Sequence, residues 1–65
     1  MKLFDYIKQN HDIKNDRHLA KSLGVGQPAI SRISTGKQKP SAEIILRIHE
    51  TFGIPVKDIR EMVAE

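Results

Sequence analysis

The sequence predicts an all-α protein: a compact bundle of about five short helices in a single domain over residues 1–65. Three observations carry that prediction. Breakers at Gly24, Gly26, Gly36, Pro40, Gly53 and Pro55 cut the chain into five short segments. Within the segments, apolar residues recur at three- and four-residue spacing. Residues suited to starting or ending helices stand at the segment boundaries.

The first segment, residues 2–10, places Leu3, Phe4 and Ile7 on one helical face. In the second, residues 16–23, the side-chain oxygen of Asn15 can cap the first turn, and Leu19, Ala20 and Leu23 form the apolar stripe. The third, residues 27–34, starts from Gly26. Pro28 sits in its first turn, where an amide has no intrahelical acceptor to lose. Ala29, Ile30 and Ile33 are expected to face inward, and Gly36 is expected to end the helix in the left-handed conformation. The fourth, residues 41–52, carries two patterns. Ile44, Leu46 and Ile48 alternate as in a strand, whereas Ile44, Ile45, Ile48 and Phe52 fit a helix. A capping Ser41, a length of twelve residues and a stop at Gly53 favour the helix. The fifth, residues 55–64, is expected to hold Pro55 in its first turn, with Val56, Ile59, Met62 and Val63 at helical spacing. Leu46 and Met62 fit their stripes least well, and either could be a contact between two copies of the chain.

Composition narrows the chemistry. No cysteine is present, so neither a disulfide framework nor a thiolate metal site is available, which fits the reducing cytoplasm expected here. No apolar run approaches the ~20 residues of a membrane span, and the acid at Asp5 argues against a signal peptide. His11, His18 and His49 share no ligand spacing, so no metal or cofactor is expected. Nothing places Ser22, Ser31 or Ser34 beside a histidine, and no enzyme is expected. Gly24-Val25-Gly26-Gln27-Pro28-Ala29 has the G-x-G-x-x-A form of a dinucleotide fingerprint, but it follows a helix, not a strand, in a chain too short for a βαβ unit.

The net charge of +3 is unevenly spread. Residues 17–39 hold Arg17, Lys21, Arg32, Lys37 and Lys39 and no acid, whereas residues 40–65 hold five acids. A field of one sign on one segment attracts a polyanion, though the same charges could form an ordinary solvated face.

The junction of segments two and three is the most specific feature. Helices joined by about three residues must cross steeply. The crossing needs a small residue at the contact (Ala20), a residue tolerant of positive φ to end the first helix (Gly24), and apolar residues to fill the angle (Leu19, Leu23, Val25, Ile30 and Ile33). All seven positions agree over residues 16–35, which form a helix-turn-helix unit.

With Gln27-Pro28-Ala29-Ile30-Ser31-Arg32-Ile33, Gly36 and Pro40-Ser41 added, residues 13–63 resemble the phage-repressor/Cro-type helix-turn-helix family, also called xenobiotic-response-element-like. The resemblance implies a lambda-repressor-like bundle with the helix of residues 27–34 in the major groove of double-stranded DNA. It also implies dimeric binding to two-fold related half-sites. One position departs from the pattern. Many members carry a phosphate-bonding glutamine at the start of the first motif helix, and here it is Asp16. Either Asp16 is a local cap or Arg17 takes over the phosphate.

On the third helix Gln27, Pro28, Ser31 and Arg32 remain for base contacts once the apolar positions are buried. Gln27 lies at the end that reaches base edges, where glutamine can pair with adenine. Pro28 offers apolar contact to a thymine methyl, or serves only to start the helix. Ser31 follows one turn later, and Arg32 can read guanine or hold a phosphate. Arg17, Thr35, Lys37 and Lys39 flank the helix and suit phosphate contacts, against the alternative of solvated surface groups. Lys21 and Arg47 read as solvated charges. The expected function is a sequence-specific transcriptional regulator of repressor or Cro-like type, a homodimer on DNA and a monomer or weak dimer in solution, with no membrane partner and no small-molecule substrate. An antitoxin or a restriction-system controller of the same fold is an alternative, as is a protein-interaction module that has lost DNA binding.

Overall fold

The structure, a computed structural model, describes residues 2–64; the outermost residues of the expected domain, 1 and 65, lie outside it. Its order is α1 (Leu3–Asn10), α2 (Asp16–Leu23), α3 (Gln27–Ser34), α4 (Ala42–Phe52) and α5 (Val56–Ala64), with no strand among the described residues. Each helix buries its stripe in one core. Leu3 and Ile7 of α1, Leu19 of α2, Ile30 and Ile33 of α3, Ile48 of α4 and Ile59 of α5 are all fully enclosed. Burying a side chain of this size stabilises the fold by roughly 1.5–3 kcal/mol relative to exposure. Helix α2 packs against both α3 and α4, α4 against α5, and α1 against α5. The Lys2 amide donates to the Met62 carbonyl at 3.3 Å, which ties the residue before α1 to the last turn of α5.

The ambiguous fourth segment is a helix. Ser41 Oγ accepts from the Ile44 amide at 3.3 Å, and Gly53, at φ +70°, closes the other end with its amide on the His49 carbonyl at 2.9 Å. Ile44 and Ile48 are buried one turn apart, while Leu46, which the alternating pattern would put beside them, is 53% exposed. Each isoleucine's β-propensity amounts to ~1 kcal/mol at most. A lone strand with no partner would leave a row of backbone donors and acceptors unpaired, whereas a helix satisfies its own.

Four details correct or complete the sequence expectation. Pro55 precedes α5 and is not in its first turn; its carbonyl accepts the first helical bond, from Ile59 N at 3.1 Å. Ala29 is half-buried, not inward-facing in full. Met62 leans on the core and is therefore no spare apolar group. Ile13 and Ile54, both outside the helices, join the core at 7% and 4% exposure. The loop holding Ile13 is also pinned by the His11 ring, tilted against Phe52 with centroids 4.8 Å apart.

Candidate nucleic-acid interface

The α2–α3 junction closes as its residues dictate. Gly24 adopts φ +70°, its amide bonds to the Lys21 carbonyl at 3.2 Å, and the Val25 amide bonds to the Ala20 carbonyl at 3.0 Å. This paired closure turns the chain sharply at the end of α2. Ala20 is 3% exposed at the crossing, and Val25 packs against the core from within the turn. Because Ile30 and Ile33 point inward, the remaining face of α3 is exposed. It carries Gln27, Pro28, Ser31 and Arg32 together. Gln27 is the first residue of α3, Pro28 the second, and Ser31 lies one turn from Gln27 on the same side. Ser34, which the sequence reading left aside, is exposed on the same helix. A helix with side chains is about 10–12 Å across, matching the ~12 Å width of the major groove.

The end of α3 presents the basic loop. Gly36, at φ +80°, donates to the Ile33 carbonyl at 3.1 Å, and Lys37 N donates to the Arg32 carbonyl at 3.0 Å. This reversal sets Lys37 directly at the helix terminus, with Lys39 two residues on; both are exposed. The Thr35 hydroxyl donates back to the carbonyls of Ser31 (3.0 Å) and Arg32 (3.2 Å). Its proton is therefore engaged in ending the helix and must turn away before reaching a phosphate. At the other side of the motif Arg17 is exposed in the first turn of α2. Arg17, Lys21, Arg32, Lys37 and Lys39 have no carboxylate within ion-pair distance among the described residues.

Asp16 is not the local cap considered for it. Asn15 supplies the cap, its Oδ1 accepting from the His18 amide at 2.8 Å. Asp16 instead reaches back to α1, where Lys8 Nζ lies 2.7 Å from Oδ1, an oxygen shut off from solvent. The carboxylate that departs from the family pattern is thus neutralised from within the fold. Arg47 is the residue whose role the sequence concealed: its guanidinium bonds both to Glu43 on its own helix and to the carbonyl of Leu23, the last residue of α2. No sequence spacing signals a contact between positions 24 residues apart.

Leu46 remains exposed beside a shallow groove of about 320 Å³ that it shares with Ala42, Ile45, Val56 and Arg60. No described helix is long and apolar enough to cross a membrane. No three His, Cys, Asp or Glu side chains among the described residues are grouped to hold a metal ion.

The helix-turn-helix family matches residues 13–59, from the loop before α2 to the middle of α5. An uncharacterized HTH-type transcriptional regulator of Methanocaldococcus jannaschii is 35% identical over 54 residues, covering 83% of this chain and 80% of that protein. No solved structure matches the chain significantly. The match spans most of the chain and takes in α2, the turn and α3, so the protein belongs to the helix-turn-helix family of the Cro/C1 type, a family of DNA-binding transcription regulators.

Proposed function

We propose that this protein is a sequence-specific transcriptional regulator of repressor or Cro-like type that lays α3 in the major groove of double-stranded DNA. The observation that carries this reading is the exposed α3 face, Gln27, Pro28, Ser31 and Arg32, flanked by cations at Arg17, Lys37 and Lys39 that have no ion-pair partner among the described residues. Gln27 and Ser31 read base edges from the first turn and a half of the helix; Arg32 reads guanine or holds the backbone. Arg17, Lys37 and Lys39 hold phosphates on either side of the groove, which fixes register without reading sequence. The departure at Asp16, a carboxylate where many family members bond a phosphate, gives little support to the alternative of a protein-interaction module, because Lys8 pairs with it.

One eight-residue helix reads only a few base pairs, and each good bidentate contact discriminates by about 1–3 kcal/mol. A single copy selects poorly among a genome's competing sites, so two copies act on a two-fold operator with half-site centres roughly 34 Å apart. In free solution the chain is a monomer or weak dimer, because Leu46 and Tyr6 are the large apolar side chains left exposed among the described residues. Obligate interfaces bury more than ~2,000 Å².

Selection of bound sequences from a random duplex pool tests the reading, followed by titration of the selected site over a salt series. A palindromic site is expected. Six phosphate contacts in a two-copy complex give a slope of log affinity against log salt of about −5. Sedimentation with and without that duplex reads the stoichiometry. Absence of binding to any duplex at low salt refutes DNA recognition; one copy per selected site refutes the symmetric complex.

A further inference from the structure

Arg47 belongs to α4, yet Lys2 aside it is the described side chain that hydrogen-bonds furthest along the chain. Its Nη1 donates to the Leu23 carbonyl at 3.1 Å. Its Nε and Nη2 donate to Glu43 Oε1 at 3.4 and 3.2 Å, one turn away on the same helix. Leu23 ends α2, so its carbonyl has no intrahelical donor. The closure at Gly24 and Val25 satisfies the carbonyls of Lys21 and Ala20 but not that of Leu23. A cation fits there, against the negative end of α2, and the bond to Glu43 fixes the fork in place.

The next three residues are Gly24, Val25 and Gly26. Two glycines make this the most permissive stretch of the motif, and the Val25 side chain anchors it on the core side. Rotation at this hinge displaces Gln27 first, since α3 begins there. The Ile30 and Ile33 anchors lie further along the helix and restrain its start less.

We propose that Arg47 is a positioning residue: braced by Glu43, it fastens α4 to the end of α2 and sets the angle at which the Gln27 end of α3 is presented. The proposal rests on the reading of α3 as the recognition helix. It also separates Arg47 from the cations that hold phosphate, because the guanidinium is already committed to a carboxylate and a carbonyl.

The test uses Arg47→Met, which keeps length and loses the donors, Arg47→Lys, which keeps one cationic donor, and Glu43→Gln, which loosens the brace. Each is measured folded, by circular dichroism well below its melting temperature. In the free protein, amide exchange should quicken at Gly24, Val25 and the first amides of α3 in Arg47→Met, relative to α1 and α5. On DNA, Arg47→Met should weaken the selected site roughly tenfold, the scale of one charged hydrogen bond, and leave random duplex nearly unchanged. The salt slope should not move, and Arg47→Lys should recover part of the loss. A slope flatter by about one unit would assign Arg47 to a phosphate and overturn the proposal. Uniform quickening of all amides, or no change in exchange and affinity, would also overturn it. If Arg47→Met fails to fold, Glu43→Gln carries the same comparison with a smaller effect in the same direction. If the unmutated protein binds no duplex, the DNA reading fails, and the exchange pattern still decides whether the brace acts on the turn.

Discussion

Gly24→Ala isolates the physics of the turn. Gly24, Gly36 and Gly53 all adopt positive φ, at +70°, +80° and +70°. An L-residue held in that region costs roughly 1–2 kcal/mol. Alanine also stiffens the unfolded chain, which returns about 0.4–1 kcal/mol. At Gly53 nothing lies within 4 Å of the new Cβ, so the net loss is the difference, between about 0 and 1.6 kcal/mol. At Gly24 the new Cβ lies 3.3 Å from Arg47 Nη1, which must give way by a few tenths of an ångström. That nitrogen is tied to the Leu23 carbonyl, so the displacement weakens a charged hydrogen bond whose full loss is worth about 1.5–3 kcal/mol. Gly24→Ala is therefore expected to destabilise by about 1 kcal/mol more than Gly53→Ala. In a domain of this size that is a further ~4–8 °C off the melting temperature. Thermal and urea unfolding followed by circular dichroism measures both variants, alone and combined with Arg47→Ala. The excess at position 24 should vanish once Arg47 is gone, because the two residues are in contact and the effects are not additive. Equal losses at positions 24 and 53, or an excess that survives removal of Arg47, would refute the reasoning.

The remaining predictions concern DNA, each measured by fluorescence anisotropy on the selected site and on unrelated duplexes. Gln27→Ala should lose about 1–3 kcal/mol on the preferred site and relax discrimination at one base pair; equal weakening of every sequence would make its role positional. Lys37→Ala should weaken all duplexes alike and flatten the salt slope by about one unit, whereas loss confined to one sequence would make it a base reader. Asp16→Gln breaks a partly exposed ion pair with Lys8, so stability should fall by less than ~1 kcal/mol, while affinity for all sequences should rise as a carboxylate gives way to a donor. Unchanged affinity would place residue 16 away from the DNA backbone.

The fold was legible because local signals agreed along the chain. Asn15, Ser41, Gly24 and Gly53 each begin or end a helix where their chemistry says they should, so the ends of α2 and α4 match the sequence reading. Even the alternation in α4 gave way to its caps and to the absence of a partner strand. The exposed face of α3 followed in the same way: once Ile30 and Ile33 are assigned inward, helical geometry leaves Gln27, Ser31 and Arg32 outside. What sequence reading missed were residues without a period. Ile13 and Ile54 lie outside the helices, where no spacing marks a buried position.

The sequence by itself thus determined the five helices, the boundaries of α2 and α3, the turn at Gly24 and the acid-free basic stretch, because each depends on residues within a few positions of one another. Only the tertiary structure decided what Asp16, Arg47 and Met62 do. Asp16 meets Lys8 of α1, Arg47 meets the end of α2, and Met62 meets the core. The physical reason is common to all three. A long charged or flexible side chain has no preferred partner in its own segment, and its role is set by whichever carboxylate, carbonyl or apolar surface the packing of other helices brings within reach.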